Sequence, residues 1–322
     1  MQEKTLHIAE KAKIWFTISL VLIAISVGSL IFRGLNFGID FAGGSVITID
    51  LHQKFETKDI RTITNNYDKT ADITYAGKNQ HEVVISTKKS LNNQERKKLF
   101  AAFQKKYNLK KKDLISVDNI TASVGAETTR NTIIASLVAI GLMLIYITIR
   151  FEFYFGLASI IALCHDIILT IGFYTVFQLQ VNSPFIAAIL TILGYSINDT
   201  IVVFDRIREN RKTMPMTNEA ELANMVNAST TQTMRRSLST YFTTLIAIVA
   251  LLIFGVDSIR QFVLPLIVGI TCGTYSSIFI ASPLWIVFQK KFKKSEFHKA
   301  SSKRGRHRSK AKKIEGTDKV LV

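Results

Sequence analysis

Residues 184–204 read PFIAAILTILGYSINDTIVVF, 21 residues that are apolar except for Asn198 and Asp199. A helix needs roughly 20 mostly apolar residues to cross a bilayer. Helices and closed barrels are the only ways to satisfy a backbone in lipid, and runs this long are not barrel strands. Five more stretches share the character. Residues 14–32 and 131–149 are each 19 long without a charge. Residues 153–177 are apolar except for His165 and Asp166, and residues 238–256 are uncharged. Residues 262–288 carry no charge over 27 positions. The sequence therefore predicts six transmembrane helices.

Composition agrees. The chain has 322 residues, is 48% hydrophobic and yet carries a formal charge of +17; its mean hydropathy is +0.23. Oil and charge must then sit in different segments, as in a membrane protein with basic loops and tails. The apolar content excludes disorder throughout. The two cysteines, Cys164 and Cys272, lie in apolar runs and form no C-x-x-C pair, which excludes a disulfide scaffold and a thiolate metal site. Both are expected to be small buried hydrophobes. The first run follows Lys4, Lys11 and Lys13 and resembles a signal peptide, but it continues to Phe32, longer than a usual signal core. An uncleaved anchor is the expectation.

Lysine and arginine in the short loops set the orientation. The segment before the first span has three, residues 206–237 have six, and the tail 290–322 has 13 against three acids. Residues 178–183 have none and 257–261 have one. Both termini are then cytoplasmic. The expected division is a cytoplasmic N-terminus 1–13, a first span 14–32, an extracytoplasmic domain 33–130, spans two to six within 131–289, and the basic cytoplasmic tail 290–322.

The outer segment has a pattern of its own. Residues 45–51, 72–76, 82–87 and 113–121 read as strands, the second and third joined through Gly77-Lys78-Asn79. Residues 57–67 read as a short helix with Thr57 as N-cap, and 92–107 as a helix with Leu99, Phe100 and Phe103 on one face. The order β-α-β-β-α-β predicts a small ferredoxin-like α+β domain. Its 17 basic and 11 acidic residues make an ordinary soluble surface, with no aromatic or arginine stripe for nucleic acid.

Charge inside the spans needs a reason, since an ionised side chain at helix centre costs about 2.5–3.5 kcal/mol on insertion scales. Asp199 lies roughly 21 Å along its helix at 1.5 Å per residue, in the inner third of the membrane. Arg236, in the first turns of the fifth span, has a matching depth and is a candidate switchable partner. Asp199 reads as a proton carrier or a static packing contact. His165-Asp166 reads as part of the relay or as a structural hydrogen-bonded pair, and Arg235 as a topology residue. In the sixth span Gly269, Gly273, Ser277 and Ala281 recur every four residues. Such a stripe lets helices approach closely, within this bundle or against another subunit.

Several motifs resemble the SecD/SecF family. FGIDFAGG at 37–44 resembles the signature just outside that family's first span. GYSINDTIVVFDRIREN at 194–210, Arg236-Ser237 with Thr240, Thr243 and Thr244, and GTYSSIFIASP at 273–283 resemble its membrane motifs. The likeness covers roughly residues 14–290, and the basic tail falls outside it. It implies half of a proton-driven RND-type bundle that pairs with a SecD-like subunit and assists the SecYEG channel and its SecA motor. Such proteins use the proton-motive force to promote preprotein export. The resemblance assigns the essential acid to Asp199, its arginine to Arg236, and a further His-Asp pair to His165 and Asp166. Gly38, Asp40, Gly43 and Gly44 are expected to shape the junction of first span and outer domain.

An RND-type exporter half for small molecules or lipids is the alternative, although its outer domains are normally much larger than 98 residues. An intramembrane aspartyl protease would need Asp166 and Asp199 as a dyad, but neither has a G-x-G-D context. No phosphate loop, metal cluster or nucleophile–base set is present in the sequence, so no enzyme activity, cofactor or metal is expected. The tail faces an anionic inner leaflet, where each lysine or arginine contributes about 1 kcal/mol. Cutting the chain after Phe297 is expected to leave export and membrane orientation unchanged at low and high salt. A loss confined to low salt would instead assign Lys303 to Lys313 a lipid or ribosome contact.

Overall fold

Every predicted span is a helix, and the helices outrun the apolar sequence at several ends. The computed structural model describes residues 6–77, 80–150, 152–214 and 218–292. In chain order the elements are α1 (Ala12–Arg33), β1 (Asn36–Phe37), α2 (Ile39–Ala42), β2 (Gly44–Asp50), α3 (Thr57–Thr64), β3 (Asp72–Ala76), β4 (Glu82–Thr87), α4 (Asn93–Tyr107), β5 (Leu114–Ile120), α5 (Ala122–Arg150), α6 (Phe153–Phe177), β6 (Gln180–Val181), α7 (Ser183–Thr213), α8 (Glu219–Phe254) and α9 (Asp257–Ser276). A π turn, Ser277–Ala281, joins α9 to α10 (Ser282–Phe292). Six helices, with α9 to α10 taken as one, are long and apolar enough to cross a membrane. The tail from residue 293 and Lys78-Asn79 of the predicted turn lie outside the described residues.

Residues 206–237 count as a short basic loop for the orientation, with Arg206, Arg208, Glu209 and Arg211 expected as a solvated helix end; α7 does run on to Thr213, but most of the remaining loop is the start of α8. The reason is apolar periodicity hidden among the charges. Val203, Phe204 and Ile207 on α7 meet Leu222, Met225 and Val226 on α8 in one buried cluster with Phe155 and Trp285. The Phe155 and Trp285 rings stack at 4.7 Å. The arginines stay on the surface: Arg206 pairs with Glu209 and Arg211 with Glu152.

The stripe of small residues on α9 faces inward. A side chain at Gly269 would collide with Ile192, and a Cβ at Gly273 would lie 2.9 Å from the Ser196 Cβ. Ser277 Oγ lies 2.8 Å from Thr200 Oγ1. The steps of four match on both helices, so α7 and α9 run side by side in the same direction. Of the two readings of the stripe, the structure supports contact within this bundle. Ala281 is fully buried in the same bundle. On the other side, α1 packs on α6, with Ser26 against Gly172. Cys164 corrects the expectation of a buried hydrophobe: it is exposed on the rim of α6, and Cys272 is half-buried.

The outer domain has the order β2-α3-β3-β4-α4-β5, with a sheet ordered β3-β4-β2-β5 and every pairing antiparallel. Its core is Ile47, Ile49, Ile60, Val83, Ile85, Leu99 and Phe103. Phe100, expected on the same face, is half-buried at the edge of that core. Asn92 and Glu95 form a capping box on α4. Thr57 does not cap α3. Glu56 holds that position without a side-chain bond, and the Thr57 hydroxyl meets Tyr75 at 3.1 Å.

Asp68 fastens the loop after α3 to the sheet. Its Oδ2 accepts from Thr87 Oγ1 at 2.5 Å, and its Oδ1 accepts from Thr70 N at 2.9 Å and Thr70 Oγ1 at 2.7 Å. Burial pushes its pKa up, but the Thr87 and Thr70 hydrogen bonds outweigh that and hold it below the ordinary value. A lowered folded-state pKa stabilises the fold above the unfolded value, near 3.9, and that gain is lost as pH falls through the folded value. Asp68→Asn in the full chain is therefore expected to cost about 1.5–3 kcal/mol of local stability at neutral pH. Hydrogen exchange of β4 amides should show the deficit at neutral pH and a narrowing gap between variant and parent below about pH 4.

Candidate functional site

Asp166 is fully buried where four helices meet. Its neighbour His165 places Nδ1 2.9 Å from Asp166 Oδ1. The other carboxylate oxygen accepts from Ser196 Oγ of α7 at 2.6 Å and from Ser276 Oγ of α9 at 2.8 Å. His165 Nε2 lies 3.1 Å from Ser19 Oγ of α1. Ser19 Oγ continues to the Tyr275 hydroxyl at 3.3 Å, which donates to Trp15 O at 3.1 Å.

This set can hold a proton in more than one place. With Asp166 ionised, His165 donates from Nδ1 and accepts the Ser19 hydroxyl at Nε2. With Asp166 protonated, the carboxyl donates to Nδ1 and Nε2–H donates to Ser19. The second state holds one proton more than the first; beyond that proton, only hydroxyl rotations and a tautomer separate the two, because serine and tyrosine both donate and accept. The sequence singled out His165 and Asp166, and the structure brings them together. It missed Ser19, Ser196, Tyr275 and Ser276. The available signal was weak: hydroxyl residues inside apolar spans, which hydrogen-bond between helices.

Asp199 is one turn further along α7 and 9% exposed. Its Oδ1 accepts from Ser237 Oγ at 2.5 Å. Its Oδ2 has no partner among the described residues. Arg236, the candidate switchable partner, makes no ion pair with Asp199 in this structure, since no approach of 4.0 Å or less joins them. Successive residues diverge by about 100° around a helix of 3.6 residues per turn. Ser237 faces α7, and Arg236 is exposed beside it. Arg236 instead lines a cleft of about 380 Å³ with Asn198, Asp205, Glu209 and Gln232. On the Ser196 face of α7, Thr200 Oγ1 and Ser277 Oγ meet at 2.8 Å, and Thr200 bonds back to Ser196 O at 3.0 Å. No ion pair joins Arg235, which is exposed, to an acid among the described residues.

Gly38, Asp40, Gly43 and Gly44 form the junction above α1. Gly38 N donates to Val181 O at 2.9 Å, next to the short parallel pair β1–β6. Any side chain at Gly38 would strike Asn182. Gly43 and Gly44 sit at φ 77° and 150°, left-handed backbone that favours glycine. Gly44 also lies against the Thr87 carbonyl. Asp40 Oδ2 accepts from Ser183 N at 2.8 Å, an anion on the N-terminus of α7. Among the described residues, no three His, Cys, Asp or Glu side chains come close enough to hold a metal.

Two family models match. "Protein export membrane protein SecD/SecF, C-terminal" covers residues 100–291. "SecD/SecF GG Motif" covers residues 28–54, which include the glycine junction. The protein translocase subunit SecF of Sebaldella termitidis is 38% identical over 307 residues, 94% of this chain and 97% of that one. The protein translocase subunit SecDF of Thermus thermophilus is 37% identical over 287 residues, 88% of this chain and 38% of that one. The crystal structure of Thermus SecDF, described as a translocon-associated membrane protein, superposes with a TM-score of 0.75 at 35% identity, covering 90% of this chain and 39% of that one. This chain thus spans about two-fifths of the SecDF chains it matches. A six-span bundle with this glycine junction and these matches along most of its length belongs to the SecD/SecF family.

Proposed function

We propose that the chain is an auxiliary subunit of the Sec protein translocase, which works with a SecD-like partner and uses the proton-motive force to promote preprotein export. The observation that carries this reading is the pair of carboxylates in the bundle, Asp166 enclosed by hydroxyls and Asp199 with one oxygen unpartnered. Acids in such places mark proton pathways. Relatives in which SecD and SecF form one chain support the partner. The SecYEG channel, the SecA motor and translocating preproteins complete the assembly. A small-molecule exporter half is not favoured, because the similar proteins are named as translocase subunits. The role is accessory, with no enzymatic step.

In this reading both termini are cytoplasmic, and residues 33–130 form an extracytoplasmic domain of ferredoxin-like class, which the βαββαβ order and its sheet arrangement support. The cleft lined by Asp205, Glu209 and Arg236 then opens to the cytoplasm, and a proton crosses between it and Asp199. Arg236 stands at the mouth, where it attracts the ionised carboxylate without occupying it. Asp166 and His165 lie deeper and pass or hold the proton through Ser196 and Ser276.

Asp199→Asn keeps size and hydrogen bonding but removes the titration. In inverted membrane vesicles it is expected to insert normally and bind its partner, while gradient-stimulated export falls to the level seen without a gradient. Full gradient-stimulated export in this variant would refute the relay. Arg236→Lys keeps the charge without the planar fork and should retain part of the activity, whereas Arg236→Leu should retain little. Near-normal export by both would leave Arg236 as a topology residue only.

A further inference from the structure

We propose that Arg235 and the face of α8 beside it bind an anionic phospholipid, with the guanidinium on the phosphate and an acyl chain along Leu238, Phe242 and Ile246. The site lies outside the proton relay and does not rest on the export function proposed above. Arg235 and Arg236 are neighbours in sequence but not in surroundings. Ser237 points at α7, where its hydroxyl bonds Asp199. Arg235 is two residues away, about 200° around a helix that turns about 100° per residue, and so leaves the opposite side of α8. It is exposed there. Leu238, Phe242 and Ile246 fall within about 60° of it around the helix, and all three are exposed. Arg235, Leu238, Ser239 and Phe242 line one open groove, on the side of α8 turned away from α7.

Depth and charge choose the occupant. Residues 238–256 carry no charge. They measure about 28 Å of helix, close to the roughly 30 Å of a hydrocarbon core. Arg235 precedes that run by three residues, about 4.5 Å, which is headgroup depth when core and headgroups together measure about 40–45 Å. Its guanidinium makes no hydrogen bond or ion pair among the described residues. No acid lines the groove with it, whereas Arg236 shares its cleft with Asp205 and Glu209. Glu10 is bound by Asn227, eight residues and about 12 Å further down α8, more than a Debye length of about 8 Å away at physiological salt. A free planar guanidinium at this depth matches a phosphate, which it can bind through two parallel hydrogen bonds. Ser239, one turn on, adds a hydroxyl that makes no hydrogen bond among the described residues. The apolar residues that continue the face into the hydrocarbon give a soluble phosphate nothing, and give an acyl chain a track. A zwitterionic lipid neutralises its phosphate with its own ammonium, so charge complementarity favours an anionic one. A lipid held here would fix the height of α8, whose next residue but one supplies the hydroxyl on Asp199.

The test is photo-crosslinking of the full chain, reconstituted with its SecD-like partner in phosphatidylcholine vesicles. The probes are phosphatidylglycerol and phosphatidylcholine with the same diazirine-bearing acyl chains, each added as a trace, and adducts are mapped by mass spectrometry. The phosphatidylglycerol probe is expected to label Leu238, Phe242 and Ile246 severalfold more than the phosphatidylcholine probe. Both should label the exposed Ile134 and Leu137 of α5 equally. Arg235→Gln should bring the phosphatidylglycerol yield on α8 down to the phosphatidylcholine level and leave α5 unchanged. Arg235→Lys should keep an intermediate yield, since it retains charge without the fork. Equal yields from the two probes on α8 of the unaltered chain would mean ordinary surrounding lipid and overturn the site without any variant. A preference that survives Arg235→Gln would leave Arg235 as a topology residue and overturn it too. No adduct from either probe on this face would give the face to the partner and refute the lipid.

Discussion

Enclosing the Asp166 carboxylate is the constraint on which the membrane part depends. A charge or unsatisfied carboxyl in hydrocarbon costs several kcal/mol. Its two oxygens take partners from three helices, His165 on α6, Ser196 on α7 and Ser276 on α9. Serine is short, so each of those backbones must come within hydroxyl reach. Gly273 makes that possible for α9, since it lies against Ser196 where any larger residue would hold the two helices apart. The small-residue stripe and the buried acid are therefore one design feature seen from two helices. His165 extends the same requirement to α1 through Ser19.

The π turn follows from the same crowding. Ser276 faces Asp166 and Ser277 faces Thr200, so two consecutive residues of one helix both bond across the seam with α7 or α6. The π turn Ser277–Ala281 begins at that point, and Ser282 Oγ bonds to the Ser277 carbonyl at 3.2 Å, five residues back. Such turns collect at functional sites because they change the direction of side chains without ending the helix.

The spans were legible because an apolar run of 19 to 27 residues has few other uses. The strands of the outer domain were legible because alternation over five to seven residues has a period no helix shares. The early start of α8 was missed, because the polar residues around it conceal Leu222, Met225 and Val226 on a buried face. At the site, a lone acid in an apolar run announces itself, which is how Asp166 and Asp199 were found. Its partners do not. Serines and tyrosines occur throughout these spans, and only the packing selects Ser19, Ser196, Ser237 and Ser276. Arg236 shows the limit of depth as a signal. Matching depth on two helices is necessary for an ion pair but says nothing of rotation, and one residue of rotation gives the contact to Ser237.

The glycine junction connects the outer domain to this chemistry through a single rod. Asp40 holds the N-terminus of α7 at Ser183, and Asn182 beside it is wedged against Gly38. The same helix carries Ser196 and Asp199. From Ser183 to Ser196 is 13 residues, about 20 Å of helix at 1.5 Å per residue. A helix of 31 residues transmits a tilt or shift along its length, because its backbone bonds form one continuous ladder. A change at Asp199 or Asp166 that moves α7 therefore moves Asn182 and the anchor of Asp40 together. In the function proposed above, coupling between sites is reciprocal, so a load on the outer domain that biases α7 would bias the proton affinity of the acids with it. The four motif residues Gly38, Asp40, Gly43 and Gly44 are then the outer bearing of the rod whose inner part carries the titratable groups.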